Sequence, residues 1–359
     1  MEPPKAGAAN EIAGCQRPLP SAILYPAPPA GRTRSGVPLP SIVQQLEDSN
    51  RNMKKIPWLA AILAGIMFVL GSGAIGAGPA RDASSLQLAS VHAAVAPLRA
   101  DAPLFSQYAD HSVPIASVTK LMTAMVVLDS GESLDEWLRI TVRSDDPPKN
   151  AYSRIRIGSE ARRSDLLRIT LMASENLAAY VLAQNHPGGR DAFVAAMNDK
   201  ARAIGMTQTR FVDPSGLWPE NVASASDLLR LLEAAYGYPE IRDMSTMSRH
   251  RVHFRSPRYS LDYGNTNALV SSSRWNVHLS KTGYLDESGR CLVMVADING
   301  KPTMMVLLDS FGTRSPLGDA GRIRRWLETG DGGTIAGAAL DYHRSRISAL
   351  TTEASAGSE

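Results

Sequence analysis

Two strongly apolar runs, Cys291 to Ile298 and Pro302 to Leu308, lie on either side of Asn299-Gly300, and nothing else restricts the fold of this chain as much. Asn-Gly supplies the two left-handed backbone positions that a two-residue hairpin turn demands, so the runs are expected to pair as antiparallel strands. Upstream, Val277 and Leu279 alternate with polar residues as far as Lys281-Thr282, which predicts a further strand. Helical periods surround these strands. Leu121, Met122, Met125, Val126 and Val127 recur at helical spacing after Ser117, Leu166, Leu167, Leu171 and Leu182 mark a helical region over Asp165 to Gln184, and Ile323, Trp326 and Leu327 mark another over Leu317 to Glu328.

Only part of the chain carries this pattern. From about residue 85 to 328 the sequence is globular in character, roughly 240 residues, enough for one domain or two interleaved lobes. Residues 1–52 are rich in Pro, Gly, Ala and Ser without a sustained apolar period, and are expected to be disordered. Next, Met53-Lys54-Lys55 precedes Ile56 to Ala80, which has no charged residue. A basic start, an apolar middle and a small-residue exit form an export signal, and fit that better than a buried core helix. Such signals normally begin at the amino terminus, so two starts stay open, Met1 and Met53, the second making residues 1–52 an upstream extension. Cleavage near Ala74-Ile75-Gly76 and retention as a membrane anchor both stay open, because the apolar run is long enough to span a bilayer. No cysteine follows it to take a lipid. Residues 329–359, rich in Gly, Ala, Ser and Thr, have little to pack and are expected to form a flexible tail.

Composition excludes several functions. The 38 basic and 35 acidic residues are mixed along the chain and leave a charge of +3, so no single-sign field would attract nucleic acid. Cys15 and Cys291 are too far apart and too few for a disulfide framework, and Cys291 reads as a small buried hydrophobe. None of the seven histidines pairs at zinc-ligand spacing, so no metal and no cofactor are expected.

Ser117-Val118-Thr119-Lys120 puts a hydroxyl and an amine three positions apart, on one face of a helix that Pro114 is placed to start. A helix amino terminus favours negative charge at the serine oxygen, and a desolvated lysine can accept the serine proton, so this pair needs no histidine. Alone, Ser-x-x-Lys occurs by chance as an exposed polar pair. Two more elements change the weighing: Ser174-Glu175-Asn176 inside an apolar helical region, otherwise a simple helix break, and Lys281-Thr282-Gly283 at a strand end, otherwise a solvated edge. In this order and context they form the three-part signature of penicillin-recognising serine enzymes.

The chain resembles the low-molecular-mass penicillin-binding proteins of the D-alanyl-D-alanine endopeptidase type over roughly residues 85 to 330. The likeness includes Pro114 to Ser117, Lys120 to Met125, Phe211 to Leu217, Asn265-Thr266-Asn267, Leu279 to Tyr284 and Gly289 to Met294. It implies the β-lactamase-like α/β fold, with an inserted helical lobe carrying Ser174 and Asn176 and a site between the lobes. It also implies that Ser117 attacks a D-alanine carbonyl, that Lys120 takes its proton, and that Ser174 with Lys281 relays a proton to the leaving amine. Asn176 would bind the substrate amide, Lys281 and Thr282 a substrate carboxylate, and the Ser117 and Tyr284 N–H groups would form the oxyanion hole. Gly283 would let substrate approach along the strand edge. Asn265 reads as structural.

The implied substrate is cross-linked peptidoglycan outside the cytoplasmic membrane, in the periplasm, with penicillins as acylating inhibitors and the membrane met only through an uncleaved anchor. A β-lactamase would need a glutamate to activate water, and no Glu-x-x-x-Asn loop follows Asn176. A D,D-carboxypeptidase shares the triad. Against it stand the match around Lys281 and the short stretch after Glu328, where carboxypeptidase relatives carry a β-rich domain and an anchoring helix. A non-enzymatic β-lactam or muropeptide sensor is disfavoured by the intact triad, and a Ser-His-Asp hydrolase by the absence of a Gly-x-Ser-x-Gly elbow.

Overall fold

The hairpin at Asn299-Gly300 sets the register of the central sheet. In the computed structural model, which describes residues 82–142 and 152–356, Asn299 and Gly300 have φ of 52° and 71°. These are the two left-handed positions of the predicted turn. The expected disordered segment over 1–52 and export signal or anchor over 53–80 lie outside the described residues.

Eleven strands and eight helices follow in the described chain. The strands are β1 (His92–Pro97), β2 (Phe105–Gln107), β3 (Val113–Pro114), β4 (Trp137–Arg139), β5 (Glu160–Arg162), β6 (Val222–Ala223), β7 (Arg249–Phe254), β8 (Tyr259–Gly264), β9 (Val277–Leu285), β10 (Gly289–Ile298) and β11 (Lys301–Ser310). The helices are α1 (Lys120–Asp129), α2 (Arg163–Met172), α3 (Asn176–Gln184), α4 (Gly189–Ala203), α5 (Ala225–Tyr236), α6 (Pro239–Ser245), α7 (Ser315–Thr329) and α8 (Gly337–Ala356). Five strands form one antiparallel sheet in the order β2-β1-β11-β10-β9.

Both faces of this sheet are covered, which explains why β10 reads as a continuous apolar run rather than an alternation. Along β10, Leu292 and Met294 join Ile323 and Trp326 of α7 in one cluster. Cys291, Val293 and Val295 join the other, larger cluster with Leu121 and Met125 of α1 and Leu228 and Leu232 of α5. The fold is the expected mixed α/β arrangement, with α2, α3 and α4 forming the helical part against α1.

Two expectations change. The helical region over Asp165 to Gln184 is two helices, because Ala173-Ser174-Glu175 breaks it: Ser174 takes φ of 60°, and the Glu175 carboxylate caps α3 by accepting from the Leu177 N–H at 3.1 Å. The carboxy-terminal segment carries a helix, α8, where a flexible tail is expected. Tyr342 and Arg346, one turn apart, share a face that meets Asp309 at the end of β11. The sequence pattern hid this because the anchor is polar rather than apolar.

Candidate active site

The serine turn rests on β3, whose pairing with β6 is continued by the Ile115 N–H donating to the Asn221 carbonyl at 3.0 Å. Pro114 therefore belongs to a strand rather than to the first helical turn. Ile115 intervenes, and Ala116–Thr119 form a short 3-10 turn leading into α1. Residues three apart eclipse one another in a 3-10 turn, so Ser117 and Lys120 are brought into direct contact. Lys120 Nζ lies 2.7 Å from Ser117 Oγ. The same amine donates to Asn176 Oδ1 at 2.7 Å and to the Ser215 carbonyl oxygen.

That arrangement aims the amine. Asn176 Oδ1 and the Ser215 carbonyl can only accept, so each takes an N–H, and in the neutral amine the lone pair is left to face Ser117 Oγ. Lys120 is fully buried and Ser117 half-buried, so the oxygen is reachable while the amine is not.

A structural segment that the sequence reading gave no role supports the pair. Asp213 is buried and accepts from the Ser215 N–H at 2.8 Å, the Gly216 N–H at 3.0 Å and Asn221 Nδ2 at 2.5 Å. Its carboxylate thereby fixes the carbonyl that Lys120 meets. Asp213-Pro214-Ser215-Gly216 is a turn-forming string inside the resembling stretch Phe211 to Leu217, and neither signal said which group it would support. At Gly216, with φ of 74°, a Cβ would lie 1.9 Å from the Ala116 carbonyl oxygen.

Lys281 approaches from β9. Its Nζ donates to Ser174 Oγ at 2.9 Å and to the Thr282 carbonyl at 2.7 Å. Burial lowers its pKa well below the ordinary lysine value, and the like charge of Lys120 lowers it further. Ser174 and Ala116 both hold left-handed backbone, φ of 60° and 47°. Such positions cost about 1–3 kcal/mol each in a non-glycine residue and collect at functional sites.

Gly283 has a further reason besides the expected one. A Cβ there would lie 3.0 Å from the Ile115 carbonyl oxygen and 3.1 Å from Ser117 N, so a side chain would push β9 away from the serine turn. Thr282 Oγ1 meets Thr266 Oγ1 at 2.6 Å. Asn265 Nδ2 donates to the Ser245 and Met247 carbonyls, both at 2.8 Å, as befits a structural residue. Asn267 Nδ2 donates to Ser280 Oγ at 2.7 Å and so braces β9. Cys291 is buried and free, and burial pushes its thiol up to about 12, which leaves it no nucleophilic role near neutral pH.

Ser117, Ser174, Asn176, Thr282, Gly283 and Tyr284 all open on one cavity of about 580 Å³. It runs past β9, which is the edge strand of the sheet and has a hydrogen-bonding edge available to an extended peptide. Arg290 and Arg314 also line it, and the sequence gave neither a role. The arrangement can activate a serine with a lysine, hold a strand-like acyl substrate against β9, and offer a second lysine-serine pair for proton transfer.

Comparison with known proteins places these features in context. The family model for peptidase S11, D-alanyl-D-alanine carboxypeptidase, matches residues 80–312. A D-alanyl-D-alanine endopeptidase of Pseudomonas aeruginosa is 49% identical over 260 residues, 72% of this chain and 84% of that protein. A D-alanyl-D-alanine endopeptidase of Escherichia coli is 44% identical over 271 residues, 76% of this chain and 87% of that protein. Among solved structures, penicillin-binding protein D2 from Listeria monocytogenes in its ampicillin-bound form is 29% identical with a TM-score of 0.58, covering 68% of this chain and 98% of that one.

Proposed function

The chain belongs to peptidase family S11, and from that membership we propose that it is a serine D-alanyl-D-alanine endopeptidase of peptidoglycan. The observation that carries the chemistry is the Lys120 amine, held by Asn176 Oδ1 and the Ser215 carbonyl with Ser117 Oγ at 2.7 Å. Ser117 attacks the carbonyl of a D-alanine while Lys120 accepts its proton. The oxyanion forms beside the Ser117 N–H, against which Gly283 is packed, with the Tyr284 N–H as the second donor. Ser174, hydrogen-bonded to Lys281, returns a proton to the departing amine. Asn176 receives the substrate amide, and Lys281 with Thr282 receives a carboxylate on the leaving side. Water then hydrolyses the acyl-enzyme.

The substrate is the D-alanyl to meso-diaminopimelyl cross-link that the resemblance implies, and the endopeptidase name of both relatives sharing nearly half of the aligned residues supports an internal cut over removal of a terminal residue. The β-lactams enter as mimics of the D-alanyl-D-alanine unit and leave a slowly hydrolysed ester on Ser117. An exported enzyme working on the periplasmic wall fits the uncharged segment behind Lys54-Lys55.

Incubation with a fluorescent penicillin and intact-mass analysis test the chemistry. The wild type is expected to gain one penicilloyl adduct and Ser117→Ala none. A Ser117→Ala protein that still gained the adduct would place the nucleophile elsewhere.

A further inference from the structure

The substrate cavity is lined by two guanidinium groups, Arg290 and Arg314, and by no carboxylate among the described residues. Neither arginine forms an ion pair among those residues. Arg290 is nonetheless held in place. Its guanidinium carbon lies 3.7 Å from the centroid of the Tyr284 ring, and Tyr284 Oη donates to Asp286 Oδ1 at 2.7 Å. Stacking occupies a face of the guanidinium plane and leaves its N–H edge for an acceptor in that plane, the geometry a carboxylate fits. Of the two acids in the β9-β10 turn, Asp286 is engaged by the tyrosine, and neither it nor Glu287 forms an ion pair with Arg290.

The hairpin register says which part of a substrate this cation faces. Thr282 is paired with Leu292, and Tyr284 with Arg290. A peptide lying along β9 with its leaving side at Lys281 and Thr282 carries its acyl-donor side past Gly283 toward Tyr284 and the turn. Two strand residues span about 6.6 Å, so Arg290 is displaced by that much from the Thr282 level, on the side of the peptide that stays attached to Ser117.

We propose that Arg290, braced on the Tyr284 ring, is a specificity-determining residue that reads a free carboxylate on the acyl-donor stem peptide, one or two residues before the D-alanine that acylates Ser117. The proposal deepens the endopeptidase assignment and rests on its placement of the leaving side at Lys281 and Thr282. It gives the Tyr284 side chain a task, where only its backbone N–H was expected to matter.

The test uses the full chain and two synthetic stem peptides ending in D-alanyl-D-alanine, one with its stem carboxylates free and one with them amidated. Each competes with a fluorescent penicillin for Ser117, a measurement that does not depend on peptide turnover. Wild type is expected to favour the free-carboxylate peptide by about tenfold or more, the scale of a charge-assisted pair. Arg290→Gln should bring the ratio close to one, Arg290→Lys and Tyr284→Ala should give intermediate ratios, and Arg314→Gln should keep the wild-type ratio. Because the ratio is taken within each variant, a loss of active protein moves both numbers together. A wild-type ratio near one, or an unchanged ratio in Arg290→Gln, overturns the proposal. Digestion of cross-linked dimers is scored separately: uncut dimers with an intact ratio would sink the endopeptidase assignment and leave the role of Arg290 standing.

Discussion

Lys120 on α1 and Lys281 on β9 are two amines buried almost completely, one against Ser117 and the other against Ser174 of the same cavity. For Lys281, burial and the neighbouring charge lower the folded pKa below the unfolded value, so the folded protein binds fewer protons than the unfolded one. Stability from this group therefore rises with pH between the lowered pKa and about 10.4, and its full penalty is present below that window. Lys281→Met removes the penalty. The variant is expected to have a Tm at pH 7 equal to or above that of wild type, to lose the alkaline rise in Tm, and to be acylated by penicillin at least about 100-fold more slowly. Thermal scans across pH and stopped-flow acylation check this, and a lower Tm at pH 7 would mean that the buried amine stabilises the fold.

At the scale of elements, two glycines in left-handed backbone separate conformational strain from contact. Gly300, φ of 71°, has open space around it, whereas a Cβ on Gly216 meets the Ala116 carbonyl at 1.9 Å. Gly300→Ala should cost about 1 kcal/mol and leave the acylation rate unchanged. Gly216→Ala should cost at least about 2 kcal/mol and slow acylation, because the Ser117 turn must shift to make room. Chemical denaturation beside acylation kinetics distinguishes them, and equal costs would contradict the packing described for Gly216. The same two sites show how legible the elements were. Asn299-Gly300 announced its hairpin because the turn is made by adjacent residues, and Ser117 and Lys120 announced themselves because one local turn joins them. Asp213 and Arg290 were marked only as members of resembling stretches and Arg314 not at all, since what they do depends on the fold bringing the Ser215 carbonyl to Lys120 and the two arginines to the substrate cavity. The helix break at Ser174 was visible as a polar triplet, yet only the Glu175 cap and the left-handed Ser174 turned it into two helices.

Over the whole molecule, the carboxy-terminal helix was the largest departure from expectation. Asp309 is buried, and α8 supplies the two side-chain partners its carboxylate has among the described residues, Tyr342 Oη at 2.5 Å and Arg346 Nε at 2.7 Å. Removing them together, in Tyr342→Phe with Arg346→Ala, leaves a buried carboxylate unpaired and should lower stability by about 2–3 kcal/mol, with the penicillin adduct on Ser117 still formed. Unchanged unfolding in denaturant would contradict the docking of α8. Fold class was readable from the β10-β11 apolar runs and the helical periods, because a sheet covered on both faces imposes its burial on sequence. The tail was not, because it is anchored by one polar cluster instead of an apolar stripe.

Cross-linked muropeptide dimers, incubated with the purified protein and with Ser117→Ala and resolved by mass, bear most directly on the central claim. Conversion of dimers to monomers by wild type and not by Ser117→Ala is the predicted result. Release of terminal D-alanine with the dimers left intact would contradict it and make the enzyme a carboxypeptidase.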